Sequence, residues 1–206
     1  MSQVLYLPPG KREQTKAANR LAILDAAREV FGEIGFETAT VRDIVRRSGL
    51  SVGAFYNYYR SKEEVFDALA DDGARRFKPI LLAQSAKATD FESYLRAAVS
   101  AYFDFIAAEV QSQPMRSAEG EPRPHTRATP EIIAVYEEVR RVFAAIMDRD
   151  LSAQVDIDFL TASCIAVAQE IGERMVERHP MDVPAATDFV VRLILGGLPN
   201  LPRRER

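Results

Sequence analysis

The 206-residue chain has one cysteine, two histidines, no tryptophan and only ten glycines. A single cysteine, Cys164, rules out an internal disulfide and a thiolate metal cluster. It lies in an apolar stretch and is read as a packing residue. His125 falls in a proline-rich stretch and His179 beside a helix end, which gives little support to a two-histidine metal site or a serine–histidine–aspartate relay. No glycine-rich phosphate loop of the standard spacings occurs. Neither catalytic residues, nor a metal, nor a cofactor is therefore expected. No apolar run approaches the ~20 residues of a membrane span. The opening MSQVLYLPPGKR lacks the charged-then-apolar order of a signal peptide. The expectation is a cytoplasmic protein with no membrane partner.

What is present favours helix. Hydrophobic residues make up 47% of the chain, enough for a packed core, and Ala, Leu, Glu and Arg are plentiful. The net charge is −3, but it is unevenly spread: residues 11–62 hold ten Lys/Arg against six Asp/Glu, a local excess of +4 that leaves −7 on the rest. A basic head on an acidic body suits contact with DNA at one end only.

Periodicity and caps organise the chain. Residues 1–13, with Pro8, Pro9, Gly10, Lys11 and Arg12, read as a flexible, basic-ended tail. Ile23, Ala27, Val30, Phe31 and Ile34 form one apolar stripe of a helix over 14–34, which Gly35 ends. Thr40 caps a short helix, with Asp43 near its positive end. Ser48-Gly49-Leu50 makes a turn, and Ser51 caps a second short helix over 52–58. Ser61 and Glu64 match a capping box that opens a longer helix, with Pro79 near a kink or end. Further helices are expected over 91–110, 131–149, 158–178 and 184–195, with a proline-rich loop at 111–130 and a fraying tail at 199–206. The domains are then 14–60, a connecting helix 61–84, and 85–198.

Two short helices joined by a tight turn are the minimum device for reading a major groove, which is about 12 Å wide. Ser51, Val52, Gly53 and Ala54 are small enough to let the second helix approach base edges. Phe55 points into the core. Tyr56, Asn57 and Tyr58 can bond phosphates, Thr40 marks a helix N-terminus suited to a phosphate, and Lys62 can neutralise one. Arg42 can reach a guanine edge. The second helix is poor in base-specific side chains, so DNA shape and close backbone approach share the discrimination.

The segment from Ala22 to Leu69 resembles the TetR/AcrR family of regulators. The resemblance is carried by Phe31, Gly35, Phe36, Thr40, Val41, Ile44, Ser48, Gly49, Leu50, Ser51, Gly53, Ala54, Phe55, Tyr56, Tyr58, Ser61, Lys62 and Glu63. Val45 stands where Ala is common, Tyr59 where Phe is common, and Asn57 at a variable position. The resemblance implies an all-α protein: an N-terminal three-helix helix-turn-helix DNA-binding domain plus a C-terminal helical ligand-binding and dimerisation domain. It implies a homodimer on double-stranded operator DNA, joined through the last two long helices, with a small-molecule effector that weakens operator binding. Carried over by position, the DNA contacts are Thr40, Arg42, Ser51, Val52, Gly53, Ala54, Tyr56, Asn57, Tyr58 and Lys62. Lys11, Arg12 and Lys16 are read as an arm near the adjacent backbone or minor groove.

The C-terminal half has no motif of its own. Leu160, Ile165, Val167, Ile171, Met175, Phe189, Leu193 and Leu195 are interface candidates that could equally form each protomer's own core. Tyr102, Phe103, Phe105, Ile106, Tyr136, Phe143, Met147 and Cys164 are candidates to line an effector pocket, or plain core. An alternative is a DNA-binding dimer whose C-terminal domain answers to a protein partner or to nothing.

Overall fold

A computed structural model describes residues 10–112, 129–150 and 155–201, and among these it is helical with no strand. The helices are α1 (Lys11–Ile34), α2 (Val41–Ser48), α3 (Val52–Tyr56), α4 (Lys62–Ser85), α5 (Phe91–Ser112), α6 (Pro130–Asp150), α7 (Ile157–Val176) and α8 (Val183–Gly197). A 3-10 turn, Leu198–Asn200, follows α8 where fraying is expected. Most of the expected proline-rich loop, with His125, and the outermost tails lie outside the described residues.

α1 begins at Lys11, three residues earlier than its apolar stripe predicts, and Gly10 opens it with its backbone carbonyl alone. Gly35 stops it at φ 78°, ψ 160°, a conformation open only to glycine, and the Gly35 amide donates to the Phe31 carbonyl. Pro79 lies inside α4, which runs six residues beyond it, so the proline neither starts nor ends the helix.

The chain divides into two compact units between Leu69 and Ala70. In the first, Ile23, Ala27, Val30 and Phe31 of α1 pack against Ile44 of α2, Phe55 of α3 and Val65 of α4. Phe31, Phe36 and Phe66 form a triangle of rings with centroids 5.1–6.1 Å apart. Aromatic pairs in this range add about 0.5–1.5 kcal/mol each beyond the area they bury. In the second unit α5 packs against α6, α7 and α8. Its core gathers Phe77, Leu81, Tyr94, Phe103, Phe143, Met147, Leu160, Cys164, Val190 and Val191.

Candidate nucleic-acid interface

The two short helices are held mainly by local bonds. Thr40 and Asp43 form a reciprocal cap. The Asp43 amide donates to Thr40 Oγ1 at 3.4 Å, and the Thr40 amide and hydroxyl donate to Asp43 Oδ2 at 3.1 and 2.6 Å. These bonds from Thr40, with a smaller pull from Arg46, hold the Asp43 carboxyl below the usual carboxylate range. A negative charge is thus fixed at the positive end of an eight-residue helix. Gly49 turns the chain at φ 70°, ψ 8°, a left-handed position. Ser51 Oγ then accepts from the Ala54 amide at 3.1 Å and starts α3.

α3 is shorter than expected. The Asn57 and Tyr58 amides donate to the Ala54 and Phe55 carbonyls, a tight turn that closes the helix at Tyr56. Phe55 is fully buried, while Val52 and Tyr56 are just over half exposed. Thr40, Arg42, Ser51, Gly53 and Asn57 are exposed as well, and Ala54 and Tyr58 are half-buried. Arg42 has no acidic partner among the described residues.

Two expected contacts, Tyr58 and Lys62, sit differently. Tyr58 accepts from Asn19 Nδ2 at 3.3 Å through its hydroxyl, and Tyr59 likewise accepts from Arg20 Nε at 3.2 Å, so both tie the turn after α3 to α1. Lys62 is committed inside the protein. Its Nζ donates to the carbonyls of Phe36, Glu37 and Ala39 at 2.8, 3.0 and 3.1 Å and lies 4.5 Å from the centre of the Phe36 ring. Arg47 donates to Glu29 at 2.7 Å and to both oxygens of Glu33 at 2.9 and 2.6 Å. These bonds push its pKa up and lower that of Glu33, fastening α2 to α1. At the start of α4, Ser61 Oγ accepts from the Glu64 amide, but the Glu64 carboxylate reaches past Ser61 to the Arg60 amide at 2.7 Å.

In the second unit the effector candidates divide. Phe103, Phe143, Met147 and Cys164 are buried in one cluster, with Tyr102, Phe105 and Ile106 half-buried against it. Burial pushes the Cys164 thiol up to about 12. Tyr136 stands outside this cluster: its hydroxyl donates to the Asp158 carbonyl at 3.1 Å. The interface candidates divide too. Leu160 and Met175 are buried within the protomer, and Ile165, Val167, Ile171 and Leu195 are half-buried against its core. Phe189 and Leu193 are more than half exposed. Phe159, which the periodicity did not single out, is the most exposed large apolar side chain described, at 75%. Among the described residues no group of His, Cys, Asp or Glu is placed to hold a metal. No helix among them is long and apolar enough to cross a membrane.

Residues 23–69 match the family described as "Bacterial regulatory proteins, tetR family". The chain is 39% identical over 72 residues to an HTH-type transcriptional repressor of Mycobacterium tuberculosis, a stretch covering 35% of this chain and 38% of that protein. The chain therefore spans well under half the length of that relative. Likeness over the whole chain comes from solved structures. The fatty acid degradation regulator FadR of Bacillus halodurans superposes with a TM-score of 0.66 at 24% identity, over 93% of this chain and 98% of that one. FadR of Bacillus subtilis, solved in complex with stearoyl-CoA, gives 0.64 at 20% identity, over 86% and 98%. At these identities the structures establish a shared fold.

Proposed function

We propose that the whole chain is a sequence-specific DNA-binding repressor of the TetR type, a reading supported by the match of residues 23–69 to the bacterial regulatory proteins of that family. The observation that carries this reading is the exposed face of α2 and α3. Two capped helices present Thr40, Arg42, Ser51, Val52, Gly53, Tyr56 and Asn57 outward while Phe55 anchors the second helix in the core. Arg42 is the base-reading side chain, and Thr40, Tyr56 and Asn57 set register on phosphates.

The chain acts as a homodimer through α7 and α8. Phe159, Phe189 and Leu193 support this, because large exposed apolar side chains on two neighbouring helices are what a second copy would cover. Its effector is a hydrophobic or amphipathic small molecule bound in the unit from Ala70 onward. The similarity in fold to a FadR solved with stearoyl-CoA makes a long-chain acyl thioester the first class to test.

The experiment is selection of bound fragments from the source genome, followed by titration of the best fragment with wild-type protein, Arg42→Ala and Tyr56→Phe. Arg42→Ala should lose about 1–3 kcal/mol on the preferred site and much less on scrambled DNA. Equal loss on every sequence removes Arg42 from base reading. Stearoyl-CoA should release the fragment where free coenzyme A does not. No release by stearoyl-CoA refutes the acyl thioester.

A further inference from the structure

We propose that Lys62 is a positioning residue rather than a phosphate contact: a cationic clip that holds the loop between α1 and α2 and thereby sets the start of α2 for DNA. The inference rests on the DNA-binding reading above and assigns a different job to one of its expected contacts.

An ammonium has three N–H donors. At Lys62 all three have partners, the carbonyls of Phe36, Glu37 and Ala39. Two of these bonds are partly buried and the third, to Glu37, is exposed, so reaching a phosphate would mean withdrawing a donor that is already engaged. The charge also lies over the face of Phe36, whose ring is wedged against Phe31 and Phe66. The ligating carbonyls follow directly on the C-terminal end of α1, where the helix dipole favours a cation.

The clip acts on the loop that leads into the reading device. Ala39, the last carbonyl it holds, is 2% exposed and immediately precedes Thr40, the cap of α2. The Ala39 amide donates to the Gly35 carbonyl at 3.2 Å, which closes the loop on itself. Lys62 is the first residue of α4, so one side chain joins the end of α1, the entry to α2 and the start of α4. Loss of the side chain would leave three carbonyls converging on an empty centre, and Thr40 would no longer be held where its cap meets the DNA backbone.

The test has one arm that needs no variant and no DNA. Brief acetylation of the wild-type protein, read by peptide mass, should modify Lys62 at least about tenfold more slowly than the exposed Lys11, Lys16 and Lys87, whether or not a random-sequence duplex is present. Rapid modification of free Lys62, with protection only on adding the duplex, overturns the proposal. The second arm compares Lys62→Ala and Lys62→Arg. Arginine keeps the charge, but no single nitrogen of its planar fork carries three N–H donors for three converging carbonyls. Both variants should speed amide exchange at Ala39–Asp43 by about tenfold or more and weaken duplex binding, with the slope of log affinity against log salt unchanged. The opposite pattern also overturns it: Lys62→Ala flattens the slope by about one unit, Lys62→Arg restores affinity, and exchange does not move. If the protein does not bind DNA, that reading fails, and free-protein acetylation and exchange still decide the clip.

Discussion

At Gly172 the second unit leaves no free room for a side chain. It is buried in α7, and a Cβ there would lie 2.7 Å from Ile106 Cδ1, 3.1 Å from Phe103 Cε1 and 3.3 Å from Tyr102 Cε1. Carbon pairs are at rest near 3.5–4.0 Å, roughly. Gly172→Ala therefore sets two effects against each other. Alanine in a helix interior gains about 0.5–1 kcal/mol over glycine, while crowding a packed core costs roughly 1–3 kcal/mol. The methyl of Ile106 can swing aside, but the Phe103 ring is fully buried and holds its place. The expected net loss is about 1 kcal/mol. The sharper test is Ile106→Val, which deletes the clashing Cδ1. Alone it costs about 0.5–1.5 kcal/mol as a small cavity. Combined with Gly172→Ala it should make room for the new methyl, so the double variant is more stable than the summed losses by about 1 kcal/mol or more. Urea unfolding at fixed protein concentration measures all four corners of the cycle. Additive losses, or a Gly172→Ala variant that gains the full propensity term, would mean that α5 and α7 do not meet as tightly as these distances require. The same three side chains are effector candidates, so a ligand seated between these helices would have to widen this contact, and Gly172→Ala should then change its affinity.

Thr40→Ala should cost about 1 kcal/mol of stability in the DNA-binding head, and Thr40→Ser should recover most of it, by thermal melting. It should also raise the Asp43 carboxyl toward its ordinary value in a carbon-shift titration, because Thr40 is the main cause of its depression. The depressed value means that Asp43 supports folding above the ordinary carboxylate range and loses that support as pH falls through its lowered folded value; in Thr40→Ala this acid sensitivity should be smaller. Phe159→Asp with Leu193→Asp should turn a dimer into a monomer in sedimentation at micromolar concentration, and a dimer that survives both removes the α7–α8 face from the interface. Cys164 should resist a maleimide at pH 8 in the native state and react fully in urea; fast native labelling would contradict its burial.

These predictions draw on two kinds of information, and only one was legible beforehand. The head could be read because its decisive bonds are short in sequence. Thr40 with Asp43 and Ser51 with Ala54 are three residues apart, and Gly35 and Gly49 occupy positive-φ positions that favour glycine. The apolar stripe of α1 was visible for the same reason, yet its start was not, because Gly10 supplies no side chain to announce a cap. Lys62 marks the limit. Its partners lie 23–26 residues away, so a basic side chain near a helix end reads as a free phosphate ligand until the fold delivers carbonyls to it. Phe159 and Leu160 pose the same problem in apolar form. They are adjacent and similar in hydrophobicity, and only the rotation of α7 against its neighbours sends one to 75% exposure and the other to 5%. An effector of the proposed kind, seated in the second unit, would depend on such rotations throughout. Its specificity would then reside in distances between helices, and the close approach at Gly172 is one that a single methyl group can probe.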